Sequence, residues 1–466
     1  MPKKNNEGKI YIVDSSVLKS DEDCLQSLGA ENTKIVPEAS LYDLEKDIAR
    51  GGLEGEVAKR IAFYINSLRT RGSLKDGVLQ DDGSKLIVEI NHKDAKIPES
   101  WATNRVDERV LQVCLGVKSE NPDKEVILLS KNPILQTRAH LVGINAQNYH
   151  NGIMPELKNQ YRGRCDLLAK TNDIQRFLKD GYLSFDKVRF QEETIERETL
   201  YVNEYCVISD GLGWSEPGRF DGEKIVPLHN VPTHGYLCDN FNIMAKNIGQ
   251  KFAWESLVES YETAPLALIK GPAGTAKTFL ALAAGITAVE KGEYEAVLVS
   301  RCMIETSDGM GYLPGDKDLK MDPYLGCFRD NLSDLIYNSK ISKDEKITRK
   351  EREDTVQEYF DRGIVYAEPI NFLRGRSIRN TYIIIDEAQN LTRPLANLIV
   401  TRAGIGTKIV FLGDCQQVDR PMYNERDNGL SYMAEKFKGQ DWCWQLATSN
   451  EESVRSRLAK ESSNMI

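Results

Sequence analysis

The stretch 264-APLALIKGPAGTAKTFLALAAG-285 decides the fold. Leu266 to Lys270 is an apolar run of strand length, and Phe279 to Gly285 begins a second apolar run with helical character. Between them, Gly271 to Thr278 follows the phosphate-binding pattern G-x-x-x-x-G-K-[ST], except that Ala276 stands where its second glycine is expected. A strand, a glycine loop and a helix in that order aim backbone N–H groups and a helix N-terminus at an anion. Lys277 is expected on the β and γ phosphates of a triphosphate, Thr278 on its Mg²⁺, and Gly271, Pro272, Ala273, Gly274, Thr275 and Ala276 in the cradle. If position 276 needs a left-handed backbone, the alanine methyl costs roughly 1–2 kcal/mol.

Downstream, "YIIIDEAQN" ends an apolar run in two carboxylates. Asp386 is expected to hold Mg²⁺ and Glu387 to orient or deprotonate an attacking water. A further run, "IVFLGDCQQVD", ends in Gly413-Asp414, with Gln417 placed to sense the γ-phosphate. An apolar run ending in Asp-Glu is often only a strand meeting a loop. The order of loop, acid pair and glutamine is what carries the reading. Upstream, "AKNIGQKFAWESL" offers Gln250, at the distance from the loop where helicase-like ATPases recognise adenine. The runs "APLALIK", "EAVLVS", "GIVYAEP", "TYIIIDEA" and "KIVFLGD" are strands of a buried parallel sheet, so an α/β fold is expected from Asn240 onward. The charged segment "NSKISKDEKITRKEREDTVQEYFDRG" reads as a solvated helical insertion.

Residues 1–151 also alternate short apolar runs ("KIYIVD", "TKIVPEAS", "SKLIVEIN", "EVILLS") with helical stretches, the pattern of another parallel α/β domain. Residues 152–239 change texture to brief strands punctuated by Gly, Pro and Asp, which suggests a small mainly-β connector, either a binding barrel or a spacer. Asp14 closes the first strand, "SLYDLEKD" carries Asp43 at a helix start and "NRVDERVLQV" supplies Asp107. Carboxylates at strand ends can converge on divalent metals, but acids at helix starts are commonly caps.

With 61 basic and 70 acidic residues the formal charge is −9, which excludes a surface coated in basic charge and leaves room for a local groove. Nine scattered cysteines without C-x-x-C point to ordinary buried thiols in a reducing compartment. The polar start "MPKKNNEGKI" and the lack of a long apolar run indicate a cytoplasmic chain with no membrane partner.

The phosphate loop with "GYLPGDKDLKMDPYLGCFRDNL", "FLRGRSIRNTYIIIDEAQNLT", "GDCQQVDRP" and "NGLSYMAEKFKG" resembles the PhoH family of RecA-like ATPases over residues 240–466. That family usually has glycine at the position of Ala276. "IPESWATNRVDERVL" and "VILLSKNPILQTRAHLVGI" resemble PIN domains of the kind joined to PhoH ATPases. The resemblance implies Asp14, Asp43 and Asp107 as Mg²⁺ or Mn²⁺ ligands, with Asn132 where a fourth acid is usual. Asparagine can ligate only through its carbonyl and brings no charge.

One RecA-like core needs a second surface from a neighbouring copy. A ring-like homo-oligomer, for instance a hexamer, is therefore expected, with Arg374, Arg376 or Arg455 reaching ATP in trans. The resemblance further implies an RNA helicase-like ATPase acting on single-stranded RNA and coupled to a PIN ribonuclease. Arg301, Tyr312, Phe372 and Arg374 are candidate RNA contacts. The alternative is an ATP-gated RNA-binding scaffold whose PIN domain has lost cleavage.

Overall fold

The computed structural model describes residues 8–98, 101, 106–149, 154–191, 199–302, 317–341, 346–370, 377–420 and 423–454. The chain packs as two compact units, the first built mainly from residues up to 153 together with the short segment 392–398, the second mainly from the residues after 153. In the first, the alternating runs build a sheet of β1 (Ile10–Val13), β2 (Thr33–Pro37), β3 (Val78–Leu79), β4 (Lys85–Glu89), β5 (Val126–Leu129) and β6 (Asn145–Gln147), in the order β3-β4-β2-β1-β5-β6. Pairing is parallel except where β3 meets β4. Helix Val106–Glu120 lays Val110, Leu111 and Cys114 on Ile10, Ile12 and Leu128, and Leu135 of helix Pro133–Leu141 joins the same core. The chain runs from β1 to β2 on one side, while β5 flanks β1 on the other. Ligands in open α/β sheets sit past the carboxyl ends of strands at such a reversal.

The second unit carries two sheets. The connector sheet comprises β7 (Arg164–Ala169), β8 (Leu183–Ser184), β9 (Val188–Phe190), β10 (Tyr205–Ser209), β11 (Ser215–Phe220) and β12 (Lys224–Pro227), in the order β8-β12-β11-β10-β7-β9. All its pairings are antiparallel except β10 with β7. The wholly parallel sheet comprises β13 (Leu266–Lys270), β14 (Ala296–Arg301), β15 (Val365–Ala367), β16 (Thr381–Asp386), β17 (Lys408–Gly413) and β18 (Cys443–Ala447), in the order β15-β14-β16-β17-β13-β18. The apolar runs expected as strands are present, and β18 is an additional strand that pairs with β13. Its sequence, "CWQLA", mixes a buried glutamine into a short run and so lacks a clear signature.

Helix Lys277–Glu290 is apolar on nearly every side because it is enclosed, with Leu280, Leu282, Ala284 and Ile286 all buried. Helices Lys317–Ile341 and Arg349–Asp361 carry the charged insertion. The second of these buries only Val356 and opens on a Thr348–Glu351 capping box, as a solvated helix should.

The connector sheet is fastened to the parallel sheet by aromatic packing. Tyr205 of β10 is fully buried, stacks on Phe252 at 4.7 Å and shares a 2.6 Å hydrogen bond with Ser256. Trp444 of β18 meets the Tyr205 ring edge-on at 6.4 Å and carries the Arg219 guanidinium 4.5 Å over its own ring. The nine cysteines form no disulfide, and all but Cys327 are buried. Among the described residues no helix is long and apolar enough to cross a membrane. Tyr205→Ala is expected to cost about 3–5 kcal/mol, read as a lower urea midpoint for the second unit.

Candidate functional site

The register of the parallel sheet brings three strand ends together. β17 lies between β13 and β16, so the loop after β13, the acid pair after β16 and Asp414 after β17 share one edge. Thr278 Oγ1 lies 3.4 Å from both carboxylate oxygens of Asp386. These are the residue types that would hold a phosphate-bound Mg²⁺ in such a loop. Burial, reinforced by the charge of Glu387, pushes the Asp386 carboxyl up to about 6, although Arg301 and Lys277 pull the other way. A buried carboxylate beside a second one suits a divalent cation. When bound, that ion would neutralise the phosphate charge, with Thr278 and Asp386 as its protein ligands.

Ala276 adopts φ 67° and ψ 24°, the left-handed conformation, immediately before helix Lys277–Glu290. The loop therefore makes the turn that glycine normally supplies, and the alanine bears the strain. Gly271 has no such latitude, because a Cβ there would lie 1.8 Å from Thr448 Oγ1. Lys277 Nζ donates to the carbonyls of Gly271 (2.7 Å) and Pro272 (2.9 Å), curling over the loop it is to serve.

Glu387 is also left-handed (φ 54°), immediately past the end of β16. Arg301 Nη2 donates to one of its oxygens at 3.0 Å and Gln389 Nε2 to the other at 2.6 Å. Arg301, expected as an RNA contact, thus spends its charge on Glu387; β14 pairs with β16 so that Arg301 stands opposite Asp386. Gln389 is the residue that sequence reasoning missed. Buried to 1% exposure, it also donates to the Gln417 carbonyl (3.0 Å) and accepts from the Asp414 amide (3.0 Å), tying the acid pair to the end of β17. Its spacing, two residues past Glu387 in "DEAQ", was the available signal. Gln417 itself presents an exposed side chain and enters this network through its backbone.

Gln250 is buried, and its side-chain oxygen accepts from the Lys246 amide at 2.8 Å. In this geometry it closes its own loop rather than offering that oxygen to a base. Arg374, Arg376 and Arg455, like Tyr312 and Phe372, lie outside the described residues.

In the first unit one hydrogen-bond chain joins the three acids. Ser15 Oγ donates to Asp43 at 2.8 Å and stands 3.5 Å from Asp14 Oδ1. Ser16 and Ser130 hydroxyls donate to Asp14 Oδ2 at 2.5 and 2.8 Å, and the Asn132 amide donates to Ser130 Oγ at 3.1 Å. Asn132 Nδ2 then reaches Asp107 Oδ2 at 3.4 Å. Asp14 is also the N-cap of helix Ser15–Ser20, and Asp107 sits in the first turn of its helix. Asp43 differs from expectation: its helix begins at Glu38, which places it in the second turn.

Two features work against a metal here. The Asn132 carbonyl accepts from the Ile134 and Leu135 amides, so the oxygen expected to ligate is capping a helix instead. Lys19 Nζ lies 3.3 Å from Asp43 and 3.0 Å from Asp47, a cation already in place. Burial opposes the Asp43 charge, but Lys19 and the Ser15 hydroxyl outweigh it and hold the carboxyl below its ordinary value. Among the described residues no group of three His, Cys, Asp or Glu side chains is placed to hold a metal. The donors in this arrangement do not fit a divalent ion.

The fold and site therefore define a P-loop ATPase domain of RecA-like topology together with a PIN-like domain. The PhoH-like protein profile matches residues 242–466 and the PIN domain profile residues 11–150. Protein PhoH2 of Bacillus subtilis (strain 168) is 32% identical over 440 residues, covering 93% of this chain and 94% of the relative. Protein PhoH2 of Thermobispora bispora is 26% identical, covering 92% and 91%. A PhoH-like protein of Bacillus subtilis is 31% identical over 217 residues, covering 47% of this chain and 61% of its own. The chain belongs to the PhoH2 family, in which a PIN domain is joined to a PhoH ATPase domain.

Two variants check the ATPase site. An unfolded aspartate ionises near pH 4, so between about pH 4 and 6 the folded chain keeps a proton on Asp386 that the unfolded chain has released. Stability from this group is therefore lost as pH rises through about 6. Asp386→Asn is expected to abolish hydrolysis while raising stability above that pH by an amount on the order of 2 kcal/mol, measured by urea unfolding at pH 5 and 7.5. Ala276→Gly relieves the left-handed alanine and is expected to add about 1 kcal/mol in the same assay, with ATP affinity equal or tighter.

Proposed function

We propose that this protein is an ATP-hydrolysing motor that remodels single-stranded RNA, with its PIN domain as the RNA-cleaving partner. The observation that carries the motor is the Thr278–Asp386 pair beside an acid, Glu387, that Arg301 and Gln389 hold in orientation. In that arrangement the Lys277 ammonium leaves its loop carbonyls for phosphate oxygens. Glu387 aligns a water for attack on the γ-phosphate, and Gln389 relays the change in Glu387 to Asp414 and Gln417.

One parallel sheet supplies one face of such a site, so a homo-oligomeric ring with an arginine given in trans completes it. Linkage of Asp14, Asp43 and Asp107 in one chain of contacts supports the ribonuclease role. A second reading is an ATP-gated RNA-binding scaffold, favoured by the commitment of Asn132 to its helix cap.

Steady-state ATP hydrolysis with and without single-stranded RNA tests the motor. RNA is expected to stimulate turnover, and Lys277→Ala to reduce it at least about a hundredfold. Without any hydrolysis in the native chain, the motor reading fails. Cleavage of the same RNA in Mn²⁺ decides between nuclease and scaffold: loss of cleavage in Asp107→Asn supports the first, and no cleavage in the native protein supports the second.

A further inference from the structure

The chain after β18 returns to the phosphate loop. Thr448 donates its amide to the Lys270 carbonyl at 2.8 Å, Ser453 Oγ donates to the Ala273 carbonyl at 3.3 Å and the Val454 amide to the Gly274 carbonyl at 2.9 Å. Two loop carbonyls are thus held from outside while Lys277 holds two from within. A cradle works only if its N–H groups point inward at the phosphates, which requires that its carbonyls have partners elsewhere. The segment Thr448–Val454 supplies them.

What shapes this segment is Glu452. Its carboxylate is buried, accepts from the Ser449 amide at 2.9 Å and completes a capping box with the Ser449 side chain. Its other oxygen accepts from Arg164 Nη1 at 2.7 Å. Its backbone carbonyl accepts from Asn247 Nδ2 at 2.8 Å, and Asn247 caps the helix Ile248–Val258. Gly249 of that helix leaves room for the carboxylate, since a Cβ there would lie 2.7 Å from it. Arg164 is the first residue of β7, in the connector sheet, and its guanidinium lies 5.8 Å over Phe252.

We propose that Glu452, held by Arg164, is a positioning residue for the phosphate loop, so that the connector sheet sets how tightly the loop grips ATP. This rests on the reading that the loop binds nucleotide. The connector then acts as more than a spacer: a ligand or neighbouring subunit that shifts β7 pulls on Glu452 and loosens the carbonyl grip on Ala273 and Gly274. The pair is half of a charge-assisted link with little solvent to screen it, the Arg164 and Glu452 side chains being 18% and 9% exposed.

The test uses the full-length chain, with KM and kcat for ATP, the affinity for a fluorescent N-methylanthraniloyl-ADP, and the melting temperature. The variants are Glu452→Gln, Arg164→Met, their double and Val454→Pro. Proline at 454 removes the donor to Gly274 while leaving the Arg164–Glu452 pair in place, and the extended backbone of Ser453 (φ −68°, ψ 129°) accepts a following proline. Each single variant is expected to raise KM and weaken the analogue about five- to twentyfold, as loss of one or two hydrogen bonds implies, with kcat within about twofold. The double variant is expected to match the worse single one, because both remove the same link. Native KM and analogue affinity in variants that melt normally would overturn the latch, as would penalties that multiply in the double variant. If Glu452→Gln does not fold, Val454→Pro decides alone. A native chain that does not bind the analogue would overturn the nucleotide reading and the latch together, whereas native affinity in the variants overturns the latch only.

Discussion

The carboxylate of Asp386 is buried at the end of a strand beside a second carboxylate, Glu387, and the ATPase half is arranged around that constraint. Burying such a group is unfavourable, and here the cost appears as a carboxyl pushed up to about 6. The neighbours are those that tolerate or exploit it: the Thr278 hydroxyl 3.4 Å away, and Arg301 on the adjacent strand. A folded chain that leaves a charge under-compensated is primed for a cation arriving with phosphate. Stability given up at this point is recovered when the ligand binds.

The same logic applies to the loop. Ala276 sits in a left-handed turn that a free chain would avoid, and Lys277 is folded onto the loop's own carbonyls. They persist because the surroundings over-determine them. Helix Lys277–Glu290 is enclosed, Gly271 is pressed against Thr448, and Ser453 and Val454 hold the loop from outside. The connector sheet contributes through Tyr205, Arg219 and Arg164, which make it part of the ATPase packing rather than a tether.

The PIN end shows a different balance. Its three acids are joined through serine hydroxyls, an asparagine amide completes the line and a lysine neutralises one member. Hydroxyl donors and an ammonium satisfy carboxylates locally, so this site is at rest without a ligand. The ATPase site is not, and that contrast separates the two halves chemically although both sit at the carboxyl ends of parallel strands.

Much of this was legible in the linear chain because it depends on local rules. Buried parallel strands must be apolar throughout, a phosphate loop must follow a strand and precede a helix, and an acid pair must end a strand. Hence β13, β14, β16 and β17, the loop, Asp386 and Glu387 could be read directly, as could the family. Gln389, Arg301 and Glu452 could not. Their roles arise from register and long-range packing: Arg301 matters because β14 pairs with β16, Gln389 because β17 lies beside β16, and Glu452 because β18 pairs with β13 and returns the chain to the loop. Gln250 and Asn132 mark the same boundary from the other side, since residue type and spacing suited each for a ligand while side-chain amides spend their oxygens on whichever backbone donors lie nearest. Residue order determined the class of chemistry, through the periodicity and loop rules that any short segment obeys. Only the tertiary structure decided which polar groups remain available for that chemistry, because hydrogen-bond capacity is shared among neighbours distant in sequence.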